Sequence, residues 1–454
     1  MLLCFQGIIS KSGWVHLGLT ALWLFQTSIS FLIQVILAAY FGVGAEFDAY
    51  LAGTMIPSTI YMITYTGLGA SATVYFYREK VQCGETETSK KFGGIIVAIC
   101  GISVLGAIFI GLLAGQFVQL SAPGLEFSVQ QHAIKCLEIS SLSLPFVTIF
   151  SFLNGLLQAD KRFYASGLGS SIFVGFVPLP IFIWEASPEV LAWGYDLSSA
   201  LGCTFLLAMA YWRKLVRLGK VSFPELKNAV LLAVPAFGAA SLTHSVWFLE
   251  RTFASSLPAG GISALSYGQR IVNVVANGMT FATSTTLLSY LSNWLAKGER
   301  DQAGVFNRQV MAWTTILALI GTCGILIFGE SLIRLVFARG HFDDTAVELT
   351  TIAARLYLGT FVAYLFTVVL GRNALAVNEG RVMISSGIAF LVAYLLTAPL
   401  LQQILSMRGL AIAASIASLF SAICYFWAMY KKYPFLYVAF ARTVTKQSGM
   451  EVLR

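Results

Sequence analysis

Long, uninterrupted apolar runs are the feature that most constrains this chain. A helix that crosses a bilayer needs about 20 apolar residues, and runs of that length recur from residue 17 to residue 430. Only 11% of the residues are charged, whereas a soluble domain carries about 25%. The runs are continuous rather than alternating, which argues against a β-barrel. The sequence therefore predicts an all-α integral membrane protein.

Twelve segments are long enough to be transmembrane helices. Their approximate bounds are 17–40, 49–77, 92–118, 130–158, 163–184, 190–212, 227–255, 262–295, 309–329, 346–371, 382–404 and 409–430. One set of segment ends carries 22 of the 29 lysines and arginines. Because basic loops stay on the cytoplasmic side, we expect a multi-pass protein with both termini in the cytoplasm. The net charge of +8 is thus a topology signal, and no nucleic-acid partner is expected.

The chain repeats itself at an offset of about 215 to 219 residues. Phe41–Gly44 closes the first segment as Leu257–Gly260 closes the seventh, and Ala122–Gly124 corresponds to Ala338–Gly340. Six segments per repeat give parallel repeats related by an axis along the membrane normal, a plan that many transporters share. The predicted divisions are an N-terminal lobe at 1–222, a C-terminal lobe at 223–433 and a basic cytoplasmic tail at 434–454.

Motifs for catalysis and for nucleotide hydrolysis are absent from the sequence. There is no GxxxxGK[ST] loop to hold ATP phosphates and no HExxH zinc motif. The four histidines lie far apart along the chain. We therefore expect no enzyme, no bound metal and no cofactor, and the sequence does not identify a coupling ion.

Polar residues inside the apolar segments are the candidates for substrate binding. The eighth segment carries Ser266, Arg270, Asn273 and Asn277 at i, i+4, i+7 and i+11, which places all four on one helical face. An arginine at bilayer depth costs about 2.5–3.5 kcal/mol on insertion scales and usually faces a cavity or a partner. These four residues therefore predict a water-filled cavity with one positively charged wall.

Three further segments carry polar side chains at helical spacing. They are His244 and Arg251 in the seventh segment, Gln26, Ser30 and Gln34 in the first, and Thr54 and Ser58 in the second. Because these segments are equivalent pairs in the repeat, their polar faces are predicted to meet in a central cavity. The alternative roles are local: hydrogen bonds between helices for the two asparagines, packing for His244, and an ion pair between Arg251 and Glu250.

Three stretches of the sequence resemble the MurJ/MviN lipid II flippases. They are Phe41-Gly-Val-Gly-Ala-Glu-Phe-Asp-Ala-Tyr50 followed by Ile56-Pro57, Ser263-Ala-Leu-Ser-Tyr-Gly-Gln-Arg270, and Leu332-Ile-Arg-Leu-Val-Phe-Ala-Arg-Gly-His-Phe342. The resemblance covers about residues 10–430. It implies a V-shaped pair of six-helix lobes that opens alternately to cytoplasm and periplasm, in a bacterial inner membrane. The family belongs with the multidrug and oligosaccharidyl-lipid exporters.

The sequence departs from this family in its arginines. The family lines its cavity with arginines that attract the substrate's pyrophosphate, and ungapped alignment places Thr27, Ile33 and Met55 at three of these positions. Arg270 matches the eighth-span arginine. The resemblance also implies two further spans after the twelfth segment, which this sequence does not contain.

The leading hypothesis is a flippase that moves a polyprenyl-pyrophosphate-linked saccharide, lipid II or a close precursor, to the outer leaflet. The alternatives are an exporter of another lipid-linked oligosaccharide, an ion-coupled drug antiporter, and a non-transporting scaffold. The predicted partners are the bilayer, the lipid-linked saccharide and cell-envelope synthesis enzymes. The saccharide, the energy source, the direction of transport and the oligomeric state are not set by the sequence.

Overall fold

The computed structural model describes residues 11–217, 219 and 223–438. In these residues the chain forms fourteen α-helices and two short 3-10 helices, without a β-strand. The α-helices are α1 (Lys11–Phe41), α2 (Ala45–Gly53), α3 (Met55–Leu112), α4 (Ala114–Ser121), α5 (Phe127–Ser141), α6 (Leu144–Ala159), α7 (Phe163–Gly175), α8 (Pro188–Trp212), α9 (Phe223–Ala254), α10 (Gly261–Ala296), α11 (Arg300–Phe337), α12 (Asp344–Leu356), α13 (Leu358–Ala376) and α14 (Gly380–Lys432). The 3-10 helices are Leu179–Phe182 and Pro434–Leu436. The all-α membrane fold is confirmed. Residues 439–454, most of the predicted basic tail, lie outside the described residues.

The two longest helices are helical hairpins. A straight helix of 58 residues, the length of α3, would be about 87 Å long at 1.5 Å per residue, far more than a bilayer. Gly84 interrupts α3 with φ 75°, ψ 174°, and the rings of Tyr75 and Phe92 pack 5.8 Å apart across the fold. Ser406 likewise interrupts α14, and the hydroxyls of Ser386 and Ser421 lie 2.9 Å apart. Each hairpin therefore holds two of the predicted segments.

Six helices in the described part of the chain are long and apolar enough to cross a membrane, or seven if the bent pair α5–α6 forms one span. This number counts α14 once although it folds back on itself. It does not include α9 or α10. Large apolar side chains point outward, such as Leu112 at 79% and Ile327 at 67% exposure, as expected for surfaces that face lipid. The count of twelve spans stays a prediction.

Two predicted segments are broken in the structure. The fourth divides into α5 and α6, which meet at an angle of 50°, and Pro145 occupies the first turn of α6, where its missing N–H costs no helical hydrogen bond. The fifth ends as an α-helix at Gly175 and continues as the 3-10 helix Leu179–Phe182. The predicted segments 130–158 and 163–184 therefore each contain a break that the sequence did not reveal.

The described contacts group the chain into two units that interleave along the sequence. The first comprises Met1–Gln269, Gly329–Ala354 and Ala398–Ala411, and the second comprises Arg270–Phe328, Arg355–Thr397 and Ile412–Arg454. The predicted division into two lobes at residue 222 stays a prediction.

The C-terminal end of the second unit is held by polar contacts. The amide of Asn307 donates to the carbonyl of Leu436 (3.1 Å), and Arg308 donates to the carbonyl of Val438 (2.9 Å). Lys432 donates to Glu379 (2.9 Å) and holds the pKa of that carboxyl below its usual value. The start of the predicted tail is therefore packed rather than extended.

Small residues allow a close helix crossing in the first unit. Ser151, Gly155 and Ala159 are spaced by four on α6, and each meets a polar side chain of α3. Thr64 and Ser151 hydroxyls lie 3.2 Å apart, Thr73 donates to the carbonyl of Gly155 (3.2 Å), and Tyr77 donates to that of Ala159 (2.8 Å). Such small-residue rows let backbones approach closely and replace the hydrophobic effect, which is weak between helices in lipid.

Gly155→Ala is expected to destabilise the protein by about 1–3 kcal/mol through overpacking. A Cβ at Gly155 would collide with the backbone of Gly69, so the two helices would have to separate. Thermal unfolding of the purified protein in detergent measures the effect. The matched control is Gly101→Ala, where a Cβ meets nothing within 4 Å. Equal melting temperatures for the two variants would contradict this account of the crossing.

Candidate functional site

A buried aspartate joins the two sequence repeats within the first unit. Asp48 lies in α2 and is 3% exposed. Its Oδ2 accepts a hydrogen bond from the N–H of Gly260, and its Oδ1 accepts one from the N–H of Ser263, each 2.7 Å long. These N–H groups belong to the start of α10, where a helix supplies no partner for them. The carboxylate therefore caps α10 at the positive end of its dipole.

Aromatic packing surrounds this cap. The rings of Phe47 and Tyr267 stack with centroids 5.3 Å apart, and Tyr267 also packs against Phe337 at 5.4 Å and Phe342 at 5.5 Å. Tyr267 is fully buried. Because the ring contacts exclude water, the hydrogen bonds of Asp48 lie in a low-dielectric setting where they are stronger than in water.

Two glycine turns complete the contact reciprocally. The N–H of His341 donates to the carbonyl of Ala39 (2.9 Å), and the preceding Gly340 has φ +59° with no room for a Cβ. The N–H of Gly124 donates to the hydroxyl of Ser255 (3.2 Å). Each repeat thus presses its corresponding turn onto a helix end of the other. We call Asp48 with these contacts the outer junction, because it lies at the segment ends with few basic residues.

The predicted site residues of the first unit are half-buried, apart from Thr54, which is buried. The Thr54 hydroxyl donates to the carbonyl of Tyr50 (2.7 Å), and the Ser58 hydroxyl donates to that of Met55 (3.0 Å). These two hydroxyls are thus engaged by their own chain. The others in this unit are Gln26, Ser30, Gln34, His244, Arg251 and Ser266.

The neighbour of Arg251 makes a contact that the sequence did not predict. The carboxylate of Glu250 is 6% exposed and accepts a hydrogen bond from the Gln269 amide at 3.3 Å. Gln269 lies on α10, so this bond joins α9 to α10 within the first unit.

The remaining site residues lie in the second unit on α10, which is unbroken from Gly261 to Ala296. Arg270, Asn273 and Asn277 are half-buried and share a helical face, as the spacing predicts. The hydroxyl of Tyr364 on α13 donates to Oδ1 of Asn277 at 2.7 Å, so Asn277 does bond between helices. That all eleven residues line one cavity stays a prediction.

The three positions that the sequence resemblance assigns to family arginines differ in environment. Ile33 is 5% exposed and Met55 is 1% exposed, and both pack within the first unit. Thr27 is half-buried. Burial at two of the three positions means that apolar packing, rather than contact with a solvated headgroup, occupies these sites.

An apolar cavity of about 480 Å³ lies among α3, α6 and α9 in the first unit. None of the eleven predicted site residues lines it. Its serine and threonine hydroxyls bond to their own helices: Ser71 donates to Gly67, Ser103 to Ile99 and Thr148 to Leu144. The wall therefore presents hydrocarbon and does not suit a saccharide or a phosphate.

Comparison with known proteins agrees with this fold. A probable lipid II flippase of Rhizobium meliloti (strain 1021) is 24% identical over 346 residues, covering 72% of this chain and 64% of that protein. One from Buchnera aphidicola subsp. Schizaphis graminum is 23% identical over 418 residues, covering 88% and 80%. Thus the chain spans just under two thirds of the first relative's length.

Solved structures give the same architecture. A lipid II flippase MurJ in an inward closed conformation superposes with a TM-score of 0.82 at 18% identity, covering 92% of this chain and 90% of that one. A multidrug resistance MATE family transporter in an inward-facing conformation gives 0.71 at 16% identity, covering 90% and 94%. The sequence model of the lipid II flippase MurJ matches residues 37–452. The chain therefore belongs to the lipid II flippase MurJ family.

Proposed function

We propose that this chain moves lipid II, or a close polyprenyl-pyrophosphate-linked precursor, from the inner to the outer leaflet of a bacterial inner membrane. Membership of the flippase family over residues 37–452 is the observation that carries this proposal. The headgroup enters a polar cavity while the polyprenyl tail stays in lipid. The protein acts as a transporter and forms no covalent intermediate.

The outer junction supplies one half of an alternating-access cycle. With Asp48 capping α10 and both glycine turns in place, the first unit is sealed at the ends predicted to face the periplasm. Release to the outer leaflet requires these contacts to break. A lock made of a few hydrogen bonds suits this role, because it holds one state without making the other inaccessible.

No sequence motif in the chain identifies an energy source for transport. No phosphate-binding loop occurs in the sequence, so we propose that an ion gradient, the membrane potential or consumption of the product drives the cycle. Enzymes of envelope synthesis that consume the saccharide on the outer side are the proposed partners.

Complementation tests the proposed function. The chain is expressed while the host's own lipid II flippase is depleted, and lipid II in the outer leaflet is quantified. We expect restored growth and restored lipid II in the outer leaflet. Absence of rescue by a protein that is present in the membrane and monodisperse after purification would contradict lipid II as the cargo.

A different lipid-linked oligosaccharide is the second candidate cargo. The burial of Ile33 and Met55 favours it, because a headgroup with fewer phosphate contacts needs fewer arginines. Failure of the lipid II assay together with accumulation of another polyprenyl-linked saccharide in a deletion strain would select this reading.

A further inference from the structure

A polar cavity lies apart from the residues proposed for transport. Its volume is about 320 Å³, and it opens in the first unit among the Gly84 bend of α3, the turn between α6 and α7 and the end of α8. At about 30 Å³ for a water molecule, it has room for a phosphate group and several waters. Basic side chains dominate its wall: Lys80, Arg162, Arg213, Lys214 and Arg217, against the acidic Glu85 and Asp160.

The two carboxylates of this cavity are already paired. Glu85 lies 2.7 Å from Lys80, and Asp160 lies 3.5 Å from Nε of Arg162. Within the described part of the chain, Arg213, Lys214 and Arg217 have no carboxylate within 4 Å. The cavity therefore carries an uncompensated positive charge from one short segment, residues 213–217.

This segment is held in place by its backbone. The N–H of Leu215 donates to the carbonyl of Ala210 (2.9 Å) and that of Lys214 to Tyr211 (2.9 Å), which closes α8 in a Schellman arrangement. Lys214 takes the left-handed position, with φ 59°, where glycine is the usual residue. Its carbonyl accepts from the hydroxyl of Ser89 at 2.6 Å. The backbone that carries these three charges is thus fixed before any ligand arrives.

Neighbouring aromatic residues place the cavity at the level of lipid headgroups. Tyr211 and Trp212 end α8 and are each 69% exposed, and Phe163 and Tyr164 begin α7 at 39% and 48% exposure. Tyrosine and tryptophan concentrate at membrane–water interfaces. Both pairs immediately adjoin the basic residues of the cavity. The segment lies on the side that the charge distribution predicts to be cytoplasmic.

We propose that this cavity binds the phosphate of an anionic lipid in the inner leaflet, with Arg213, Lys214 and Arg217 as its ligands. Basic pockets at the cytoplasmic ends of membrane helices recognise acidic headgroups, and arginine forms charge-assisted hydrogen bonds with phosphate oxygens. None of the eleven predicted site residues lines this cavity. Its chemistry is that of a phosphate group, whether attached to a lipid or free in solution.

Native mass spectrometry of the purified full-length protein tests the proposal. Dioleoyl phosphatidylglycerol and dioleoyl phosphatidylcholine are titrated separately, and inorganic pyrophosphate is added as a competitor in a third arm. The test variant is Arg213→Gln/Arg217→Gln. The matched control is Lys297→Gln/Lys431→Gln, which removes the same charge from two exposed residues outside the cavity.

We expect the affinity for phosphatidylglycerol to fall at least about tenfold in the test variant, because each lost hydrogen bond to a charged group contributes substantially to the binding free energy. The control variant is expected to bind within about twofold of wild type. Displacement by pyrophosphate would identify a site open to free phosphate, and its absence would identify a lipid headgroup site. Equal losses in both variants, or equal binding of the two lipids, would overturn the proposal.

Lys214→Gly separates binding from folding. Glycine relieves the left-handed strain at this position, so the melting temperature is expected to rise. Loss of the ammonium is expected to weaken phosphatidylglycerol binding severalfold. A purely structural role for Lys214 predicts unchanged binding in a protein that has become more stable, and that result would remove it from the site.

Discussion

Asp48→Asn is expected to loosen the outer junction without unfolding the protein. The carboxylate accepts two N–H groups at the start of α10, one on each oxygen. Asparagine has the same shape but one acceptor oxygen, so one buried N–H faces an NH₂ group instead. A buried donor left without its partner costs about 1–3 kcal/mol. The ratio of open to closed junction should therefore rise by about 5- to 150-fold.

Labelling of a buried cysteine measures this shift. Ser255, which is 1% exposed and contacts Gly124 across the junction, is changed to cysteine in all samples. A membrane-impermeant maleimide is added to spheroplasts, and the modified peptide is quantified by mass spectrometry. The matched control is Glu46→Gln, which removes a carboxylate from the exposed face of the same helix. If Asp48→Asn is labelled no faster than this control, the cap does not hold the junction.

The position of this cap follows from the sequence repeat, although the repeat alone does not identify it. Asp48 and Ser263 are 215 residues apart, which is the offset of the predicted repeat. Residues equivalent under a two-fold axis contact one another only near that axis, so this pair marks where the repeats meet. The repeat offset alone does not say which of many equivalent pairs lie there. The additional signal that identifies the pair is its hydrogen-bonding chemistry, because an acidic residue faces the start of a helix.

The helices were predictable from the apolar runs, but the breaks within the fourth and fifth predicted segments were not. Gly84 and Ser406, which divide α3 and α14, lie between predicted segments, so these two turns were predictable from the sequence. The Gly111 and Gly115 pair has the spacing of a close-packing motif, yet the chain breaks between them at Leu113. The close crossing forms instead at Gly155 and Gly69. Tertiary contacts decide which small residues meet, and a local pattern does not contain them.

The polar face of α10 was predictable because it depends only on helical periodicity. Arg270, Asn273 and Asn277 lie on one unbroken helix, and the partner of Asn277, Tyr364, was missed because it lies 87 residues away. Exposure was harder to predict. Thr54 lies on the helical face that was predicted to line a cavity. Its hydroxyl instead bonds to its own helix, as threonine commonly does.

Arg270→Ala is expected to abolish complementation in the flippase-depleted host. The sequence resemblance places Arg270 at the family's eighth-span arginine, and it places Ile33, Met55 and Thr27 at three positions where the family has others. The proposed transport therefore relies on few cationic side chains. An arginine binds a phosphate through two parallel charge-assisted hydrogen bonds, each worth about 1.5–3 kcal/mol. Losing both should weaken headgroup binding by about 100-fold or more.

Two further variants distinguish a phosphate contact from a structural role. Arg270→Lys keeps the charge but not the bidentate geometry, so we expect partial rescue with reduced lipid II in the outer leaflet. Arg381→Gln removes an exposed arginine of the same unit and is expected to grow like wild type. Protein abundance and monodispersity are measured for every variant, because a misfolded protein would also fail. Full transport by a well-folded Arg270→Ala protein would show that the headgroup is held by other residues, and would favour a cargo recognised through its sugars.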